Sequence, residues 1–270
     1  MPIPSPVRIC SAQISAMWEE PEKTLEKVRL HIQHAAASGA AMICFPEQFA
    51  TGWDPRPHRY IQNIDGSVVS TLRAYAKESK IGILGSFRQV HDPLPKNTAV
   101  AIGSDGNILA TYAKMHLFSA GHEDRGSSPG TDLGIFPLGP LTCGIAVCYD
   151  LRFPELFRLY ARKGVHVVFV PSAWPAVRRR HWELFIQARA LENQIYVVGI
   201  NTTGRTPVDT YTGDSMTADP QGTVISRAND AEQLLFSDID PAAVTAARLH
   251  MPVENDRKDR LYNLLSRGMG

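Results

Sequence analysis

An excess of charge of either sign is the first thing this sequence lacks. Its 270 residues hold 28 lysines and arginines against 27 aspartates and glutamates, a formal net charge of +1. So balanced a chain has no general field for nucleic acid or an anionic membrane, and its choice of ligand must rest on a few local residues. Long apolar runs are missing as well. None approaches the roughly 20 residues that span a bilayer, and Met1-Pro2-Ile3-Pro4-Ser5-Pro6 has neither the basic nor the apolar region of a signal peptide. Cysteine is scarce: Cys10, Cys44, Cys143 and Cys148 lie mostly in apolar runs, with no C-x-x-C or Cys/His pairing of zinc type. The simpler reading is a soluble cytoplasmic protein with free thiols, no metal and no cofactor.

What is present suits a large core. With 44% hydrophobic and 20% charged residues the chain can fold as one domain over 1–270, or as two closely related halves. Val7 to Ile14 read as a strand, and Pro21 opens a helix with Leu25, Val28, Ile32 and Ala36 on one face, stopped at Gly39. Ala41 to Phe45 is a continuous apolar run, the mark of a strand buried on both faces. Ser67 to Ser79 predict a helix with Val68, Val69, Leu72 and Ala76 inward, and Ile81 to Phe87 the strand after it. Asn97 to Ile102 and Ile108 to Tyr112 form a hairpin across Gly103 to Asn107. A similar hairpin recurs at Ser215 to Ala218 and Thr223 to Ser226, so two related α/β layers packed together are expected. The tail from about residue 251 is polar except for Leu261, Tyr262, Leu264 and Leu265, an apolar patch that a partner subunit would cover.

Three residues stand at the ends of strands. Glu47 follows the apolar run in Phe45-Pro46-Glu47, where a carboxylate is either a surface residue or a functional acid in a crevice. Lys114 follows the first hairpin: a solvated lysine, or a fixed cation for a developing oxyanion. Cys148 ends the apolar run Leu141 to Val147, just before a helix that starts at Pro154-Glu155. It is a small buried residue or a nucleophile at an elbow, exposed to a cleft and held as a thiolate by a neighbouring cation. In layered α/β folds such strand ends meet in one crevice. The turn-rich loop Gly52 to His58 could wall it, and so could Trp174, which is otherwise core.

These segments closely resemble the nitrilase superfamily of carbon-nitrogen hydrolases, over nearly the whole chain. Phe45-Pro46-Glu47 is similar to that family's glutamate segment, Lys114-Met115-His116-Leu117-Phe118 to its lysine segment, and Cys148-Tyr149-Asp150-Leu151-Arg152-Phe153-Pro154-Glu155 to its nucleophile segment. The resemblance implies a four-layer α-β-β-α sandwich, assembled as a homodimer or larger homo-oligomer through helices near the active-site face. It is closest to the omega-amidase branch. It also implies that Glu123, ahead of Ser128-Pro129-Gly130, lines the site beside Lys114; Asp124 is the competitor, and a solvent-facing acidic loop the plainer reading.

The implied chemistry is attack by Cys148 on an amide or nitrile carbon. Lys114 and the backbone N–H of Tyr149 face the developing negative charge, and Glu47 serves in turn as base, acid and base. A cluster of Arg178, Arg179 and Arg180 suggests that Arg178 grips a substrate carboxylate, against the alternative of a solvated helix start. Arg152 and Glu155 read as a structural pair at the start of a helix. His116, His122 and His181 offer a Cys-His dyad, a weaker fit than the strand-end acid and lysine. The expected activity is hydrolysis of a small aliphatic primary amide, favouring the omega-amide of a dicarboxylate or its keto analogue. The alternatives are a nitrilase, an N-carbamoyl-amine hydrolase, or an inactive interaction protein on the same fold.

Overall fold

The computed structural model describes residues 5–267; Met1 to Pro4, part of the segment read against a signal peptide, lie outside them. Strand β1 (Val7–Gln13) sends alternate side chains to opposite faces, as its period of two demands. Ile9 joins one apolar cluster, Cys10 and Ala12 another. Helix α1 (Pro21–Ala37) opens on a proline, whose missing N–H falls where a helix has no internal acceptor anyway, and buries Leu25, Val28 and Ile32. It ends before Gly39, which takes φ 78°. Strand β2 (Met42–Cys44) is buried on both faces, and helix α2 (Ser67–Ser79) buries Val68, Val69, Leu72 and Ala76 over the predicted span. β3 (Gly82–Gln89), β4 (Lys96–Ile102) and β5 (Ile108–Ala113) follow as an antiparallel run.

The second half repeats this scheme with β6 (Gly134–Leu138), β7 (Leu141–Ile145), α3 (Pro154–Arg162), β8 (Val167–Ser172), α4 (Arg179–Asn193) and β9 (Tyr196–Asn201). A small separate hairpin, β10 (Thr203–Arg205) and β11 (Thr210–Thr212), precedes β12 (Met216–Ala218) and β13 (Val224–Arg227). β14 (Gln233–Ile239) returns to pair antiparallel with β1, Val7 opposite Ile239. The chain then runs through α5 (Pro241–His250), α6 (Val253–Asp256) and α7 (Asp259–Arg267). β6 and the β10–β11 hairpin have no counterpart in the sequence reading.

Two six-stranded sheets result, ordered β14-β1-β2-β3-β4-β5 and β13-β12-β9-β8-β7-β6. Between them Ile9, Met42 and Leu84 of the first meet Phe136, Cys143 and Phe169 of the second. Helices α1 and α2 cover the outer face of the first sheet through Leu25, Val28, Val69 and Leu72. Helices α3 and α4 cover the second, and α4 comes so near that a Cβ on Gly199 would stand 2.4 Å from Ile186 Cδ1. This is the four-layer α-β-β-α sandwich expected. On α7, Leu261, Tyr262, Leu264 and Leu265 remain exposed, as does Met251 ahead of it. Among the described residues no helix is long and apolar enough to cross a membrane.

Candidate active site

Glu47 lies just past β2, Lys114 just past β5 and Cys148 shortly past β7, and the fold brings the three together. Lys114 Nζ is 2.8 Å from Glu47 Oε1 and 2.8 Å from Glu123 Oε2, an ammonium between two carboxylates with all three side chains buried. Glu123 starts a short 3-10 turn; Asp124 beside it is exposed. Every carboxylate oxygen in this row has further donors. Glu47 Oε2 accepts from Ala173 N at 3.0 Å, and Glu123 Oε2 from Phe118 N at 2.8 Å. Asn97 Nδ2 donates to Glu47 Oε1 at 2.7 Å and, with Trp53 Nε1, to Glu123 Oε1 at 3.4 Å. Such pairing is what permits buried charge at all.

Cys148 opens a 3-10 turn (Cys148–Arg152) that precedes α3, and its φ of 45° is a left-handed conformation that a residue with a side chain seldom adopts. Asp150 holds the bend. Its Oδ2 accepts from Val147 N at 2.9 Å and from the Tyr112 hydroxyl at 2.8 Å, while Oδ1 accepts from His116 N at 2.9 Å. One buried carboxylate thereby ties the cysteine bend to β5 and to the segment carrying Lys114.

The charge state of the thiol differs from the expectation. Burial, helped by the Glu47 charge and opposed by Lys114, pushes the Cys148 thiol well above the usual range. A thiolate held by Lys114 is therefore not the resting form, because burial and the Glu47 charge outweigh the lysine. Burial alone would lower Lys114, but Glu123 and then Glu47 outweigh it and raise it well above the ordinary lysine value. For Glu47, burial pushes the carboxyl up, the Lys114 charge pulls it down and Glu123 adds a further push; the net direction is up. A protonated thiol facing a carboxylate of raised basicity is a proton donor and acceptor pair.

Above the thiol opens a small pocket, walled by Trp53, Phe118, Tyr149 and Trp174 and bordered by Arg152 and Arg178. Trp174 is held by Asn201, whose Oδ1 accepts its backbone N–H at 2.7 Å, and its ring N–H donates to Arg178 O at 2.9 Å. The Arg178 guanidinium lies over the Phe118 ring at 5.0 Å. Arg152 does not pair with Glu155 as the sequence suggested: Glu155 is exposed on α3, whereas the guanidinium turns to the pocket, 5.0 Å from the Trp174 ring and 3.2 Å from His181 Nδ1. Burial and the like charge of Arg178 lower its affinity for its proton. Neither arginine has an acidic partner among the described residues.

The carbon-nitrogen hydrolase family profile matches residues 7–249, nearly the whole described chain. The chain belongs to the carbon-nitrogen hydrolases. Among curated members of that family, the 2-oxoglutaramate amidase of Bacillus subtilis is 31% identical, covering 94% of this chain and 98% of its own. The human omega-amidase NIT2 is also 31% identical, with 86% of this chain and 88% of its own covered. A solved carbon-nitrogen hydrolase superfamily protein of Xanthomonas campestris, carrying an arsenic adduct in its active site, superposes with a TM-score of 0.88 at 25% identity, over 94% of this chain and 97% of that one. This hydrolase therefore falls among proteins that cleave amide or nitrile carbon–nitrogen bonds through a cysteine nucleophile.

Within the carbon-nitrogen hydrolase site, sequence reasoning passed over Asn97 and Asp150 and misplaced Arg152. In the sequence Asn97 is one polar residue opening a strand, and Asp150 is one of several charged residues in the nucleophile segment. No local pattern says that either one faces inward. His116 does not supply a base to Cys148, since its Nδ1 is 2.8 Å from Asp150 Oδ1 and its ring is stacked on Phe153 at 3.7 Å. Among the described residues no group of three or more His, Cys, Asp or Glu side chains is arranged to hold a metal ion.

Proposed function

We propose that this protein hydrolyses a small aliphatic primary amide to a carboxylate and ammonia, and that the amide is the omega-amide of a dicarboxylate or of its keto analogue. The observation that carries this reading is a buried thiol beside a carboxylate–ammonium–carboxylate row, under a small aromatic pocket bordered by two arginines without acidic partners. A neutral amide end suits the floor of such a pocket, and an anionic far end suits its rim. The activities after which the Bacillus subtilis and human relatives are named support the same substrate class.

The steps follow from the proton positions. Cys148 Sγ attacks the amide carbon as its proton passes to Glu47, and the carbonyl electron pair moves onto oxygen. Lys114 and the Tyr149 N–H stabilise that oxyanion; losing one such donor typically costs about 2.7 to 4 kcal/mol of barrier. Glu47 returns the proton to nitrogen, the carbon–nitrogen bond breaks, and ammonia leaves a thioester. Glu47 then takes a proton from water as the water oxygen attacks the thioester, and the departing sulfur regains a proton. Glu123 keeps Lys114 charged, Trp174 closes the pocket wall, and Arg178 with Arg152 grips the distal carboxylate. We also read the chain as one domain over residues 1–270 in a cytoplasmic homodimer or larger assembly, with the exposed face of α7 against a partner subunit.

The test is an ammonia-release screen over short omega-amides with and without a second carboxylate, their matching nitriles, and N-carbamoyl amines. Amides bearing the second carboxylate are expected to turn over best, and Cys148→Ala to retain less than about one per cent of the parent activity with its fold intact. Preference for a nitrile or a carbamoyl amine would move the protein to those reactions. No turnover, together with a Cys148 no more reactive than the other cysteines, would make it a non-catalytic interaction protein.

A further inference from the structure

Asn97 sits on β4 beside the lysine segment, where its carbonyl accepts the Lys114 N–H at 2.8 Å. Its side chain reaches the two acids instead. Nδ2 donates to Glu47 Oε1 at 2.7 Å and to Glu123 Oε1 at 3.4 Å, and the residue is 2% exposed. Asn97 thus bonds three members of the site, and among the described residues it is, apart from Lys114, the side chain that donates to both carboxylates. Its own Oδ1 has no hydrogen-bond partner among the described residues. A buried amide that divides its donors between two acids and leaves its acceptor unpaired is oriented by the acids' demand, since the flipped amide would turn an oxygen toward two anions.

The charge count gives that orientation a purpose. With both acids ionised, one buried ammonium faces two negative charges, and burial together with the Glu123 charge pushes Glu47 toward holding its proton. A hydrogen bond donated to the ionised form of an acid favours that form. We propose that Asn97 is a positioning residue for the amide hydrolysis: it keeps Glu47 ionised and aimed, and so sets the pH below which the site stops accepting the Cys148 proton. The inference rests on the amidohydrolase reading, with Glu47 as the base.

Two pH profiles test it on the parent, Asn97→Asp and Asn97→Ala. One is kcat/KM for the best amide; the other is the rate of Cys148 alkylation by iodoacetamide, which requires no knowledge of the substrate. Without the Asn97 donor, Glu47 takes up its proton at higher pH, so the acid limb of both profiles is expected to move up by about one pH unit in Asn97→Ala. Asn97→Asp keeps the shape and adds an acid, so its limb moves at least as far. A rate lowered evenly across pH with the limb unmoved would reduce Asn97 to packing and overturn the proposal, as would parent-like profiles in both variants. If the aspartate variant does not fold, the alanine variant carries the same readout. A parent that releases ammonia from no amide refutes the functional reading, and the alkylation profiles then decide on Asn97 alone.

Discussion

The Lys114 ammonium stands 2.8 Å from Glu123 Oε2, with 1% of each side chain exposed. A contact this dry is barely screened, so the Glu123 charge is felt in full at Lys114. Glu123→Gln keeps the shape and removes the charge. It is expected to fold, to retain an alkylatable Cys148, and to lose at least about a hundredfold in kcat/KM, roughly 2.7 kcal/mol. Exposed Asp124→Asn is expected to leave kcat/KM near the parent value. Steady-state kinetics on both variants check this, and the reverse pattern would remove Glu123 from the site.

The resting proton on sulfur gives a second expectation with a definite sign. If Cys148 reacts only as its proton passes to Glu47, then Glu47→Gln should slow iodoacetamide alkylation near neutral pH by at least about tenfold. A thiolate held by Lys114 would respond in the opposite way, because removing the nearby negative charge lowers the thiol pKa and speeds the reaction. Alkylation followed by mass spectrometry separates the two.

For the two arginines the prediction concerns specificity. Arg152→Ala and Arg178→Ala should each cut kcat/KM for omega-amides of dicarboxylates by at least about tenfold, equivalent to roughly 1.4 kcal/mol, and leave short amides without a second carboxylate within about threefold. Equal losses on both substrate types would mean that the arginines shape the pocket walls without reading charge.

Asp150 supports the nucleophile bend, and its loss should show in stability. Asp150→Ala strips acceptors from Val147 N, His116 N and the Tyr112 hydroxyl at once. A penalty of about 3 kcal/mol or more in urea unfolding is expected, against about 1 kcal/mol for Tyr112→Phe, which removes a single bond. Comparable values for the two would show that the bend stands without the carboxylate.

Much of this architecture was legible because periodicity survives packing. The stripe Val68, Val69, Leu72 and Ala76 located α2 over its observed span, and three polar residues each placed after an apolar strand marked Glu47, Lys114 and Cys148. β6 escaped because Gly134 and Pro137 interrupt any strand pattern, and β10 and β11 because Tyr211 is the one large apolar side chain in their two segments. Arg152 was misread for a different reason. Proximity in sequence to Glu155 suggested a pair, but the 3-10 turn sends the guanidinium toward Trp174 while Glu155 rides outward on the helix. The protonation of Cys148 was equally out of reach, since it depends on burial of the thiol and on the charge of Glu47 from a distant segment.

Glu47 and Lys114 hang from the first sheet and Cys148 from the second, so the site exists only while the two sheets are docked face to face. Catalytic turnover is in this sense a gauge of the join between layers. A chain whose strands and helices persist but whose sheets have slipped would keep its far-ultraviolet spectrum and fall silent as an enzyme. On heating, the loss of ammonia release should therefore run ahead of the loss of secondary structure wherever the layers part first.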